Sequence, residues 1–213
     1  MNKSEKFVIT INRELGSGGR TIGEKLATKL GVRFYDKALI KALEEKYNLS
    51  VEEIENLKGR NHSWWADFAR SFFLAERAKT MYYSNPSALD EPDVLTTDEM
   101  FETEQKVLQE IAEEESCIIA GRLGFHVFRN HPNHLSILIQ APMEQRIERV
   151  MQKQSLSREE AEKVIKKVDK MRENYVKKYA QTSRYDTRNY DLVISMAGQT
   201  EDDVVDLIMQ YIK

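Results

Sequence analysis

Cysteine is nearly absent. Cys117 is the only one among 213 residues. A disulfide within the chain is therefore excluded, and so is a cysteine-rich metal site. Cys117 lies in an apolar run and reads as a buried core thiol rather than a nucleophile. A basic excess is also missing. The formal net charge is −3, and a general duplex binder concentrates positive charge on one face, so no nucleic-acid partner is expected. No apolar stretch reaches the roughly 20 residues that span a bilayer. The first residues, "MNKSEKFVIT", show neither a signal core nor a small-residue cleavage site. The expectation is a cytoplasmic protein with no membrane partner. His62, His126, His131 and His134 lack metal-ligand spacing. What remains is 41% hydrophobic and 31% charged, enough for one soluble α/β domain with an inserted lobe.

Five short apolar runs read as strands: Phe7 to Ile11, Val32 to Tyr35, Cys117 to Ala120, Leu135 to Ile139 and Leu192 to Ser195. Most are continuous rather than alternating, which suits a parallel sheet covered on both faces. Helical patterns separate them. Ile22, Leu26, Ala27 and Leu30 share one helical face, and Gly31 is placed to cap that helix. "MEQRIERVMQ" and "EDDVVDLIMQYI" have the same character. Strands that alternate with helices predict a doubly wound sheet with right-handed crossovers.

Two regions stand apart. From about residue 47 to 115 no strand is evident, and Pro86 and Pro92 interrupt the pattern. Glu44 to Glu115 holds 18 acidic residues against 7 basic ones, which marks a helical insertion suited to a substrate lobe. Trp64, Trp65, Phe68, Phe72 and Phe73 in it read as a small core or a contact between subunits of a homodimer rather than as a base-stacking platform. Arg70 and Arg77 share a helix face there. The second region, residues 157–188, holds 10 basic residues against 6 acidic ones. It is predicted to be a long helix to about Ala180, opened by a Ser157–Glu160 capping box. Its lysines Lys166, Lys170 and Lys177, with Arg172 close by, form either a solvated face or a functional arm.

Between the first strand and first helix lies "ELGSGGRTIG", Glu14 to Gly23. Glycines permit tight turns and close approach of backbone N–H groups to phosphate, and a helix N-terminus adds a favourable dipole. The pattern G-x-x-x-x-G-K-[ST] is not met. With Arg20 at the lysine place, Glu14 falls on the first glycine. Shifted by one, Gly19 takes the lysine place and Arg13 the first glycine. Either way no lysine is present. A glycine-rich turn without a ligand competes with this reading. So does a dinucleotide site with Asp36 as the ribose acid, although its third glycine would fall on Thr21.

The later segments carry a resemblance. "FYDKALIKAL", "IIAGRLGFHVF", "LSILIQAPMEQRIERV", "KKVDKMRENY" and "YDLVIS" are similar, in order and spacing, to cytidylate kinases. Arg13, Glu14, Gly16, Ser17, Gly18, Gly19 and Arg20 match the R-E-x-G-S-G-G-R loop of the cytidylate kinase-like family of bacterial proteins. The resemblance implies a P-loop NTPase-type fold: a doubly wound five-stranded parallel sheet with a helical acceptor lobe near 47–115 and a helical lid near 157–188. It implies an ATP- and magnesium-dependent phosphotransferase acting on a nucleoside monophosphate or another small phosphate acceptor. Arg13 and the loop Gly16, Ser17, Gly18, Gly19, Arg20 and Thr21 would hold the ATP phosphates. Thr21 and Asp36 would serve magnesium. Asp36, Lys37 and Arg122 would meet the acceptor, with Lys37 otherwise a solvated lysine. Arg20, Lys170 and Arg172 would neutralise the transferring group. Two positions depart from the family: Leu123 stands where those enzymes carry aspartate, and Lys37-Ala38 stands for Ser-Gly. Both bear on acceptor recognition.

Overall fold

A computed structural model of the chain describes residues 1–36 and 98–212. Contacts divide the chain into a unit of Met1–Tyr47 with Glu104–Lys213 and a unit of Asn48–Thr103. Lys37, His62, Arg70, Arg77 and the aromatics Trp64 to Phe73 lie outside the described residues, as does most of the expected acceptor lobe.

The described elements run in order as β1 (Val8–Arg13), α1 (Gly19–Leu30), β2 (Arg33–Tyr35), α2 (Asp98–Glu114), β3 (Cys117–Ala120), α3 (Gly124–Val127), β4 (His134–Gln140), α4 (Met143–Gln154), α5 (Arg158–Ala180), β5 (Leu192–Ser195) and α6 (Glu201–Tyr211), with a 3-10 turn at Thr187–Asn189. All strand pairs are parallel, and the sheet order is β2-β3-β1-β4-β5. β1 is central: Val8 sits between Cys117 and His134, and Ile11 between Ala120 and Ile137. The parallel doubly wound sheet expected from the apolar runs is present. β1 is longer than its hydrophobicity suggests, because its pairing with β4 continues through Asn12 and Arg13 to Ile139.

One sheet face carries the main core. Ile9, Ile11, Ile137 and Ile139 pack with Ile22 and Leu26 of α1 and with Val204, Val205 and Ile208 of α6. Each such side chain, fully buried, contributes about 1.5–3 kcal/mol. The other face is met by α3, where Gly124 lies so near Thr10 that a Cβ there would fall 2.7 Å from Thr10 Cγ2. Gly31 caps α1 in the left-handed conformation, with φ 68°. The Ser157–Glu160 capping box opens α5, with the Ser157 hydroxyl accepting from the Glu160 N–H.

The topology fixes where a ligand can sit. After β1 the chain leaves toward β2, and after β4 toward β5. Between strands whose connections diverge, a crevice opens at their carboxyl ends. The glycine loop lies there, after β1. Asp36 follows β2, and Gly121-Arg122 follows β3.

Candidate active site

The loop from Glu14 to Gly18 is shaped by its glycines and held by its neighbours. Gly16 and Gly18 have φ of 81° and 83°, a left-handed region that glycine enters without steric cost. A Cβ on Gly16 would fall 2.7 Å from the Arg146 carbonyl oxygen, and one on Gly18 would fall 3.0 Å from the Arg149 guanidinium. The Ser17 hydroxyl donates to the Glu14 carbonyl at 2.9 Å. Glu14 itself is structural: its carboxylate accepts the Ala141 N–H at 3.1 Å and pairs with Arg146 at 3.3 Å. Gly18 then caps α1, so the first N–H groups of that helix face the crevice edge without a helical acceptor.

A charged hub sits behind the loop. Asp169 of α5 accepts the Leu15 N–H at 3.1 Å, pairs with Arg146, and takes a 3.4 Å contact from Arg184. Arg146 also donates to the Leu15 carbonyl at 2.8 Å. Arg184 is fully buried, and its guanidinium donates to the Arg13 carbonyl. Arg172 donates to the same carbonyl at 3.1 Å. Tyr190 anchors this segment. Its hydroxyl donates to the Arg184 carbonyl at 2.7 Å and accepts from the Asn12 amide at 2.5 Å. Burial, the largest influence on it, pushes the Tyr190 phenol up to about 12.

The result is a crowd of guanidinium groups around the end of β1. Burial, and then the charges of Arg172, Arg184 and Arg20, push Arg13 down to about 9, while Asp36 opposes them. Arg13 therefore stays protonated at neutral pH, in a place where an added anion is stabilising. Arg20 pairs with Glu24 at 3.0 Å and with the buried Asp36 at 3.2 Å. Thr21 is half-buried in the first turn of α1.

The sequence-predicted residues thus fall into two groups. Arg13, the loop residues 16–21, Asp36 and Arg172 come together at the carboxyl edge of the sheet. Arg122 follows β3 but is engaged elsewhere. It pairs with Glu104, which is 2% exposed, and its guanidinium lies 5.5 Å from the Tyr175 ring centroid. Tyr175 donates to Glu104 at 2.8 Å. Lys170 is exposed on α5 and makes no ion pair among the described residues. Lys166 and Lys177 form i,i+4 pairs with Glu162 and Glu173, as on a solvated helix face. Arg146, Asp169 and Arg184 were not singled out from the sequence. Only the basic composition of residues 157–188 hints at Arg184.

The residues present suit a polyphosphate with its metal. The left-handed turns at Gly16 and Gly18 carry the backbone into the N-terminus of α1, and the guanidinium crowd supplies charge. Magnesium commonly uses one or two carboxylates together with substrate phosphates, and Asp36 with Thr21 offers that minimal set. Among the described residues no cluster of three or more His, Cys, Asp or Glu offers a separate metal cage. No described helix is long and apolar enough to cross a membrane. Burial drives the Cys117 thiol upward, so it stays protonated in the core.

Comparison with known proteins bears on the family and the fold. The model of the cytidylate kinase-like family matches residues 8–197. A cytidylate kinase from Methanopyrus kandleri is 25% identical, over 96% of this chain and 92% of that enzyme. A crystal structure of an uncharacterized protein from Eubacterium ventriosum shares the fold, with TM-score 0.71, 24% identity and 98% of each chain covered. A uronate isomerase from Corynebacterium glutamicum is 33% identical, but over 44% of this chain and 18% of that enzyme.

Proposed function

This chain belongs to the cytidylate kinase-like family and is a kinase-like phosphotransferase, and we propose that it moves the terminal phosphoryl group of ATP to a nucleoside monophosphate. The observation that carries the reading is the convergence of Arg13, Arg20, Arg172 and Arg184 on a glycine loop at a helix N-terminus. The relative from Methanopyrus kandleri, a cytidylate kinase, makes a cytidylate-like acceptor the first choice.

Phosphoryl transfer asks the protein for position and charge neutralisation rather than covalent chemistry. The backbone N–H groups of Gly16 to Thr21 hold the phosphate chain, helped by the α1 dipole. The guanidinium groups stabilise charge on the transferring oxygens. Asp36 and Thr21 would hold magnesium, which when bound neutralises phosphate charge. Residues 157–188 act as the lid and bring Arg172 and Lys170 over the phosphates. Closure of such a segment excludes water before transfer. A phosphate acceptor needs no general base, so none is assigned. The cell compartment is the cytoplasm.

The test is ADP formation from ATP and magnesium across a panel of nucleoside monophosphates and small hydroxylated metabolites. One monophosphate, cytidylate first, is expected to stimulate turnover. Turnover only with a non-nucleotide acceptor replaces the acceptor and keeps the reaction class. ATP binding with no stimulated turnover by any acceptor makes the chain a nucleotide-binding protein and removes the kinase proposal.

A further inference from the structure

The loop has no lysine, and the geometry shows where its side-chain space went. In G-x-x-x-x-G-K-[ST] the lysine comes six residues after the first glycine. Arg13 and Gly19 stand at that separation, with the two residue types reversed. In the fold they compete for one volume. A Cβ built on Gly19 would fall 2.6 Å from Arg13 Cβ and 3.2 Å from its Cγ. Only one of the two positions can carry a side chain.

Arg13 fills that volume. Its side chain runs along Gly19, the first residue of α1, and reaches over Gly121. Gly121 makes room twice: φ is 81°, and any Cβ there would overlap Arg13 Nη1. The other arginines around the loop also bind protein groups. Arg20 pairs with Asp36 and Glu24. Arg172 and Arg184 bind the Arg13 carbonyl, and Arg146 binds Glu14 and Asp169. Among the described residues the Arg13 guanidinium makes no ion pair.

We infer that Arg13 and Gly19 are an exchanged pair, in which Arg13 presents to the triphosphate the positive charge that a lysine at position 19 presents in the standard loop. This rests on the phosphotransferase reading above. The exchange also accounts for Gly121, since an arginine entering from the strand side needs the space above β3. Arg13 is crowded by like charge, so its role leaves a mark that a structural arginine would not. Removing it relieves repulsion in the free protein and weakens triphosphate binding.

The test compares four full-length proteins: wild type, Arg13→Ala, Gly19→Lys and the double variant Arg13→Gly/Gly19→Lys. Each is melted without nucleotide and titrated with MgATP by calorimetry. Arg13→Ala is expected to melt no lower than wild type and to bind MgATP about 10- to 100-fold more weakly, the range of one charge-assisted hydrogen bond. Gly19→Lys alone is expected to melt lower, because two side chains meet in one place. The double variant is expected to recover both folding and binding. Arg13→Ala that binds MgATP like wild type overturns the inference. So does Arg13→Ala that melts far below wild type, which makes the arginine structural. So does a double variant that binds no better than Arg13→Ala. A wild type that gives no MgATP binding at all instead removes the parent reading.

Discussion

Asp169, within α5, accepts the backbone N–H of Leu15 in the glycine loop at 3.1 Å. One carboxylate therefore ties the basic helix to the loop, while also balancing Arg146 and Arg184. Both arginines are nearly or fully buried, at 5% and 0% side-chain exposure. A buried charge stripped of its partner is costly because it keeps its desolvation penalty and loses its compensation.

Asp169→Asn is therefore expected to destabilise the fold by about 3–5 kcal/mol, the cost of breaking a buried pair, read by urea unfolding. Lys163→Ala, which breaks an exposed i,i+4 pair with Glu159, is expected to cost no more than about 1 kcal/mol. Comparable losses for the two would contradict the hub.

Gly121 gives a second comparison. Gly121→Ala meets both a left-handed backbone and the Arg13 guanidinium. Gly198→Ala meets the backbone cost alone, because φ is 69° and nothing lies within 4 Å of its Cβ direction. That shared cost is about 1–3 kcal/mol. Gly121→Ala should lose more stability and should also weaken MgATP binding, whereas Gly198→Ala should leave binding unchanged. Equal effects would contradict the placement of Arg13 over Gly121.

Tyr175→Phe removes the hydroxyl that donates to buried Glu104. The expected cost is about 1–3 kcal/mol, as for other groups left short of a buried partner. Because Glu104 holds Arg122, the acceptor KM should rise while MgATP affinity holds. A change in MgATP affinity with an unchanged acceptor KM would place Arg122 on the wrong substrate.

His134 links stability to pH. Burial is the main cause that pushes its imidazole down to about 4; the nearby His131 acts in the same direction, and Asp191 and the Phe128 backbone oppose it. The ring bonds to the Thr10 hydroxyl at 2.8 Å. The folded state prefers the neutral ring, whereas the unfolded chain protonates near 6.5. Stability from this group is therefore present above pH 6.5 and is lost as pH falls toward 4. His134→Gln should flatten the stability profile across that window. An unaltered slope would contradict the role given to His134.

Two strands were legible in the sequence: Cys117–Ala120, buried throughout, and the edge strand Leu192–Ser195, where Val193 is exposed. Cys117–Ala120 and Leu192–Ser195 are continuous apolar runs, and their limits matched the ladder. Arg13 was hidden from that reading because polar residues extend β1 only through pairing with β4. The Ser157–Glu160 box declared the start of α5, since capping is local chemistry. Asp169, Arg146 and Arg184 carry little local signal; apart from the i,i+3 contact of Asp169 with Arg172, the hub partners lie 15 to 171 residues away. The turn after β3 was marked by the resemblance, but its backbone was not legible, because Arg122 and Leu123 take φ of 52° and 55° without being glycine. The glycine loop was readable as a phosphate cradle. The exchange of Arg13 and Gly19 was visible as spacing, but its meaning needed the overlap of their side-chain positions.

A loop without lysine still grips a phosphate chain. Calorimetric titration of the full chain with MgATP, MgADP and adenosine measures this directly. Affinity is expected to fall from MgATP to MgADP and to be lost with adenosine, because the cradle and the guanidinium groups hold phosphates rather than the nucleoside. Equal affinity for MgATP and adenosine, or no heat with MgATP, would contradict it.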